Sequence, residues 1–273
     1  MKKKQRAFLK WAGGKYSLSD VINKMLPKGD RLIEPFVGAG SIFLNSDYKH
    51  YLLNDINQDL INLYTILQTK PDAFIEDARA FFTPEHNQSE IYYQYRKDFN
   101  ESKDPYFRSL MFLYMNRHGY NGLCRYNKSG GFNVPFGKYK KPYFPEQELN
   151  FFADKAQSAT FVCESYRQTF ARVQPNDVVY CDPPYVPLSK TASFTSYAGN
   201  GFGLDEQADL ANVAEEVTSS VDKATVLISN HDTIWTRKIY EHAEKIKKLK
   251  VARTISQKGS NRKKVGELLA LYR

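Results

Sequence analysis

Five short apolar runs recur along the chain, at residues 31–34, 51–55, 160–163, 177–181 and 224–228, each bounded by turn residues. Runs of this length and continuity predict strands buried on both faces, because a strand with one wet face would alternate apolar and polar positions. Helical spacing of apolar residues marks 42–45, 58–68, 205–220 and 233–240 between the strands. Strand alternating with helix predicts an α/β fold with a doubly wound, mostly parallel sheet. The rhythm breaks between about 56 and 145, where helical periods at 71–82, 90–99 and 107–117 lead into a stretch rich in glycine (Gly119, Gly122, Gly130, Gly131, Gly137). This interval predicts an inserted, mainly helical unit that carries a loop or β-hairpin able to approach a ligand closely. The chain thus divides into a sheet domain in two parts, 1–56 and 145–273, and an insert, 57–144.

Charge changes the picture next. The chain has 273 residues and a formal net charge of +9. Its basic residues are clustered: windows 1–15, 105–143 and 245–264 hold 22 of the 39 lysines and arginines and no acid. Any one such run is ordinarily a solvated surface, but three together favour a polyanion such as nucleic acid. The middle window interleaves aromatics, among them Tyr106, Phe107, Phe112, Tyr114, Tyr120, Tyr126, Phe132, Phe136, Tyr139 and Tyr143, most of which packing is expected to claim. Cys124, Cys163 and Cys181 are odd in number and widely spaced, which points to neither a disulfide framework nor a metal site. With no apolar stretch long enough to span a membrane and no apolar leader, the expectation is a soluble cytoplasmic protein.

Two motifs bear on chemistry. Glu34-Pro35-Phe36-Val37-Gly38-Ala39-Gly40-Ser41 follows the first strand, and its glycines suit a tight turn that comes close to a ligand. Such a turn is often purely structural. Asp55, at the end of the next strand, adds an acceptor for the two hydroxyls of a ribose, so an adenosine-type cofactor becomes the better reading. The glycine spacing is too short for a dinucleotide fingerprint and no phosphate-binding GxxxxGK[ST] occurs, which disfavours nicotinamide cofactors and nucleoside triphosphates. Asp182-Pro183-Pro184-Tyr185 follows the 177–181 strand. Two prolines remove two backbone donors and leave an acceptor-rich turn at a strand's C-terminal edge, where open α/β sheets bind ligands. A carboxylate and a carbonyl together can hold both hydrogens of an exocyclic amine such as that of adenine, favouring the tetrahedral nitrogen that attacks a methyl group in line. Tyr185 offers a face on which the base stacks.

In combination, Phe8-Leu9-Lys10-Trp11-Ala12-Gly13-Gly14-Lys15, the 34–41 motif, the central insertion and Asp182-Pro183-Pro184-Tyr185 resemble the alpha-group DNA adenine N6-methyltransferases, in particular the Dam-type enzymes specific for GATC. The resemblance extends over essentially the whole chain, including 116–126, 132–144 and 227–233. It implies the fold of S-adenosylmethionine-dependent methyltransferases, with residues 57–144 as a target-recognition domain. By the same resemblance Trp11, Lys15, Phe36, Gly38, Gly40, Asp55, Glu164, Ser165 and Asp182 bind S-adenosylmethionine, and Asp182, Pro183, Pro184 and Tyr185 form the catalytic centre. Lys10, Arg96, Tyr120, Asn121, Leu123, Arg125, Asn127, Pro135 and Tyr139 face double-stranded DNA. Within that set Arg125 is matched to a guanine in the major groove, Leu123 and Pro135 to a thymine methyl, and Tyr120 to the stack vacated by a flipped adenine. Arg96 is equally well read as a helix-surface ion pair. A monomer without metal or membrane contact is expected. The basic segment 255–264 resembles the family in character and is given no specific role.

Other readings stay open at this stage. Cytosine N4 methylation needs the same acceptor geometry, although Ser or Asn more often precedes Pro-Pro-Tyr there. RNA or protein-glutamine methylation uses related motifs, and a catalytically silent DNA-binding regulator would retain the fold. C5-cytosine methylation requires a Pro-Cys nucleophile, which the chain lacks. The Ser/Thr/Gly-rich stretch 189–203 is expected to be mobile without DNA and to order over the flipped base.

Overall fold

A computed structural model describes residues 4–185, 202–252 and 264–273. The apolar runs become the centre of a seven-stranded sheet: β1 (Arg31–Glu34), β2 (His50–Asn54), β3 (Ala159–Val162), β4 (Asp177–Cys181), β5 (Thr225–His231), β6 (Lys245–Ala252) and β7 (Lys264–Tyr272). They lie in the order β3-β2-β1-β4-β5-β7-β6. Neighbours from β3 through β5 are parallel, whereas β7 runs antiparallel to both β5 and β6. The expected doubly wound, mostly parallel sheet is the one observed.

Alternate residues of each strand feed two cores. Leu32, Leu53, Val178, Tyr180, Leu227 and Leu269 belong to one cluster, and Ile33, Leu52, Val179, Cys181, Ile228 and Leu268 to the other. With both faces covered, the strands have no reason to alternate polar and apolar residues, which explains why they read as continuous apolar runs. Helices α1 (Ser19–Asn23), α2 (Gln58–Thr69), α3 (Pro71–Arg79), α4 (Ser89–Glu101), α5 (Pro105–His118) and α6 (Glu146–Ala156) contribute to the first core. The second is covered by α7 (Tyr166–Phe170), α8 (Leu204–Ser220) and α9 (Ile234–Ile239). Helix starts follow local capping chemistry: Asn57 accepts from the Asp59 and Leu60 amides ahead of α2, and Asp104 accepts from Tyr106 and Phe107 ahead of α5, where Pro105 gives up no needed donor.

The chain leaves β1 outward to β2 and β3, then returns to place β4 on the other side of β1. This reversal makes a crevice at the C-terminal ends of β1 and β4, into which both sequence motifs lead.

Two expectations change. The hairpin expected within 119–143 is reduced to two isolated antiparallel bridges, Gly119 with Phe136 and Tyr126 with Phe132. Side chains replace the missing ladder: Asn100 bonds both backbone groups of Phe132, while Tyr92 and Arg96 donate to the Val134 carbonyl. β6 lies in the third basic window and shows no apolar run; its lysines decorate an edge strand, where charge discourages pairing with another chain. Of the stretch 189–203, residues 189–201 lie outside the described residues, as do 255–263 of the C-terminal basic segment. Among the described residues no helix is long and apolar enough to cross a membrane, and no group of three His, Cys, Asp or Glu could hold a metal ion.

Candidate active site and nucleic-acid face

The glycine turn after β1 requires its glycines. Gly38 and Gly40 adopt φ of +46° and +70°, and a Cβ on Gly38 would sit 2.8 Å from the indole nitrogen of Trp11. The Gly38 amide donates to Asp55 Oδ2 at 3.1 Å, and Asn57 donates to Oδ1 at 3.0 Å. Burial raises the Asp55 pKa, and these two backbone donors oppose the shift. Trp11, Gly38 and Asp55, far apart in sequence, thereby share one side of the crevice. Phe36 stacks on Tyr166 with ring centroids 5.7 Å apart and meets Phe202 edge-on.

Asn54, one residue before Asp55, ties three strand ends together. Its side chain donates to the carbonyls of Pro35 and Glu164 at 2.9 and 3.0 Å and accepts from the Glu164 amide at 2.9 Å. The Glu164 and Ser165 backbone is thus fixed beside the crevice. Their side chains are engaged with the following helix: Glu164 pairs with Arg172 at 2.8 Å, and Ser165 forms a capping box with Gln168.

Glu34, at the end of β1, is 2% exposed, and its Oε1 has no hydrogen-bond partner among the described residues. Burial pushes its pKa up to about 8, partly offset by the Phe43 backbone amide, so the acid is protonated at neutral pH. A buried polar oxygen without a partner is costly unless a ligand completes it.

At the other motif, Asp182 emerges from β4 directly against Lys15, with Nζ 2.7 Å from Oδ1. Lys15 is itself buried, donates to the Gly13 carbonyl at 2.9 Å, and lies 4.5 Å from the centre of the Tyr185 ring. Burial raises the Asp182 pKa, and the Lys15 charge works against that shift. The expected acceptor turn is partly filled. The Pro184 carbonyl accepts from Gln207 at 2.6 Å, whereas among the described residues no hydrogen bond reaches the Pro183 carbonyl. Gln207 is held in turn by Asn230 at 2.7 Å. The Tyr185 hydroxyl bonds Ser229 at 2.9 Å and donates to Glu267.

Of the residues expected to face DNA, Asn121 and Tyr139 gather at Lys10. The Asn121 amide donates to the Tyr139 hydroxyl at 3.0 Å, and Lys10 Nζ sits 4.2 Å from the centre of the Tyr139 ring. Asn121 and Gly122 turn with φ of +54° and +63°, and a Cβ on Gly122 would lie 2.3 Å from Lys10 Cβ, so that turn packs on Lys10 by virtue of its glycine. Tyr120 is 47% exposed, and its amide donates to the carbonyl of exposed Pro135 at 2.9 Å, which brings the two side by side. Leu123 is half-buried against the core. Arg125 Nε donates to the Asn133 carbonyl at 3.0 Å, which holds the guanidinium beside the loop.

Asn127 and Arg96 stand apart from this group in their bonding. Asn127 Oδ1 accepts from Ser129 and Gly131 at the loop tip, an internal turn device. Among the described residues Arg96 makes no ion pair; it donates to the Val134 carbonyl at 3.1 Å and lies over the Tyr93 ring. Of the aromatics in the middle window, Phe112, Tyr114 and Phe132 are buried, and Tyr120 and Tyr143 remain exposed.

Sequence reasoning passed over Glu34, Asn54, Ser229 and Glu267. Ser229 follows an apolar run in β5 and Glu267 precedes one in β7, and both are buried, but nothing local in the sequence says that the two meet.

A family model described as D12 class N6 adenine-specific DNA methyltransferase matches residues 11–255. Over 270 residues the chain is 64% identical to a DNA adenine methylase of Vibrio cholerae serotype O1 (strain ATCC 39541 / Classical Ogawa 395 / O395), covering 99% of this chain and 97% of the relative. It is 59% identical over 271 residues to a DNA adenine methylase of Escherichia coli (strain K12), covering 99% and 96% of the two chains. A DNA adenine methylase of Serratia marcescens is also 59% identical over 271 residues, covering 99% of this chain and all of the relative. The family match sets aside cytosine N4 methylation. The chain belongs to the D12 class of N6 adenine-specific DNA methyltransferases, and its reaction is methyl transfer to N6 of adenine in DNA.

Proposed function

We propose that the methyl donor is S-adenosylmethionine, that the target is adenine within double-stranded 5'-GATC-3', and that the adenine is flipped out of the duplex to reach Asp182. The observation that carries this reading is the Lys15–Asp182 pair at the sheet reversal, 2.7 Å long, beside a Pro183 carbonyl that no described group occupies.

The donor supplies an electrophilic methyl group; the chain supplies the geometry. Trp11, Phe36, Gly38, Gly40 and Asp55 fit an adenosine, with Asp55 on the ribose hydroxyls and the unpartnered Glu34 oxygen available to a polar group of the ligand. Glu164 and Ser165 border the adenine through backbone that Asn54 holds. The target amine donates one hydrogen to the Asp182 carboxylate and one to the Pro183 carbonyl. Its lone pair would then face the methyl group that the donor supplies, transfer would break the donor's bond to that carbon, and the proton that N6 gives up afterwards would pass along its hydrogen bond to the Asp182 carboxylate. Lys15 helps keep Asp182 ionised, and Asp182 orients the amine without first removing a proton.

Residues 57–144 form the target-recognition part between catalytic segments 1–56 and 145–273. Tyr120 wedges into the vacated stack, Asn121 supports the flipped state, Arg125 reads guanine, Leu123 and Pro135 meet the thymine methyl, and Lys10 and Tyr139 approach the DNA beside them. Arg96 and Asn127 shape the loop that presents these groups. The chain acts as a monomer on bacterial cytoplasmic DNA.

Transfer of labelled methyl groups to duplexes with and without GATC, followed by nucleoside analysis, tests the target. Label in N6-methyladenine from the GATC duplex alone is expected. Equal labelling of both duplexes contradicts the sequence preference, and DNA binding without transfer would mark a silent regulator.

A further inference from the structure

One acidic side chain at the site belongs to neither motif. Glu267 lies on antiparallel β7, opposite His231 of β5, and is 6% exposed. Its Oε1 is the meeting point of three groups: it accepts from the Tyr185 hydroxyl, accepts from Ser229 Oγ at 2.8 Å, and lies 3.8 Å from Lys15 Nζ. The same ammonium holds Asp182 at 2.7 Å. Stability alone is a poor reason for this arrangement, because buried ionic groups can often be replaced by apolar residues of similar volume at little cost.

We propose that Glu267, supported by Ser229, is a positioning residue of the methyl-transfer site, fixing the Tyr185 ring and sharing the Lys15 ammonium with Asp182. The inference rests on the reading of Asp182 as the acceptor for the target amine. Two consequences follow from the contacts. The Tyr185 hydroxyl donates its proton to Glu267, with Ser229 Oγ 2.9 Å away donating to the same oxygen, and the ring meets His231 edge-on with centroids 4.5 Å apart, so it is held at a set angle for a stacked base. Two carboxyl groups also face one ammonium, which leaves the pocket suited to a reactant that carries, or develops, positive charge as the amine attacks.

Among the described residues the titratable groups facing Asp182 are Lys15 from the opening segment, Tyr180, Cys181 and Tyr185 from β4 and its turn, Glu34 from β1, and Glu267 from β7. Those facing Glu267 are Lys15, Asp182, Tyr180, Tyr185 and Ser229, with His231 paired across the ladder. A like charge near Asp182 raises its pKa, so removing the Glu267 charge lowers it.

The test compares E267Q, E267L and D182A as full-length proteins, by steady-state methylation, the pH profile of kcat/KM, DNA binding and thermal unfolding. E267Q keeps an acceptor for Tyr185 and Ser229 and removes the charge. It is expected to lose kcat by a smaller factor than E267L, because the Tyr185 anchor survives while one of the two carboxyls facing the developing positive charge does not, and its acid limb moves to lower pH. E267L removes the acceptor as well and is expected to lose about tenfold or more in kcat with little change in the KM for DNA. An unmoved acid limb in E267Q, or wild-type kcat in E267L, overturns the proposal; if E267L unfolds early, the isosteric E267Q decides alone. Active D182A overturns the underlying reading of the site, whereas inactive D182A beside wild-type behaviour of both Glu267 variants overturns this inference only.

Discussion

The side-chain amide of Asn116 completes both backbone hydrogen bonds of Lys10, accepting from its amide at 2.9 Å and donating to its carbonyl at 2.8 Å. Asn116 belongs to the last turn of α5, just before the 119–143 loop, and Lys10 directly precedes Trp11, which packs on the glycine turn. The contact therefore couples the loop assigned to DNA with the segment assigned to the methyl donor. It also satisfies groups that would otherwise be stranded, since Asn116 is 2% exposed.

Asn116→Leu keeps the number and branching of the side-chain heavy atoms and removes both bonds. Two poorly satisfied backbone groups should cost about 2–3 kcal/mol, seen as a fall in Tm of roughly 5–10 °C. Affinity for duplex DNA should fall with it, because Gly122, whose carbonyl Asn116 also reaches at 3.3 Å, loses its seat. An unchanged melting curve would show that the clamp bears no load.

Gly38→Ala places a Cβ at positive φ and against the Trp11 indole. The backbone conformation alone costs about 1–2 kcal/mol for a residue with a Cβ. Relief requires moving either Trp11 or the amide that donates to Asp55. Affinity for S-adenosylmethionine, read by calorimetry, should drop by roughly tenfold or more. Wild-type affinity would place the donor elsewhere.

Much of the sheet was legible because burial on both faces writes a strand as an unbroken apolar run; 31–34 and 177–181 match β1 and β4 residue for residue. β6 was not, because an edge strand of alternating lysines and aliphatics is indistinguishable in one dimension from a basic arm. Charge windows mislead for a related reason. Arg108 lies in an acid-free window yet pairs with Asp59 at 2.7 Å, Lys4 with Asp20 at 2.8 Å, and Lys15 with Asp182, so absence of acids nearby in sequence does not leave a cation unpaired in space. Arg117 is buried and donates to the Phe8 carbonyl, taking another charge away from any DNA surface. In the site, Trp11, Asp55 and Asp182 announced themselves by motif. Ser229 and Glu267 reach the same crevice through antiparallel pairing, which no local pattern encodes.

Glu34 gives a pH signature of its own. Burial holds its carboxyl at about 8 against an ordinary 4.5, so the folded chain keeps a proton that the unfolded chain releases. Its contribution to stability is fully present below pH 4.5 and is lost as pH rises to about 8. Glu34→Gln cannot ionise. Thermal unfolding followed between pH 5 and pH 9 should therefore show the variant gaining stability relative to the parent as pH rises from 5, with the gain levelling off above about pH 8. A constant difference across that range would mean that Glu34 ionises normally.

In the proposed reaction Asp182 orients the amine for transfer and contributes little to holding DNA. Single-turnover methylation of a GATC duplex by Asp182→Ala, with duplex binding measured on the same preparation, tests it most directly. Transfer should fall by on the order of 10²–10³-fold or more while binding persists. Full-rate transfer by that variant would mean that a group other than Asp182 orients the amine.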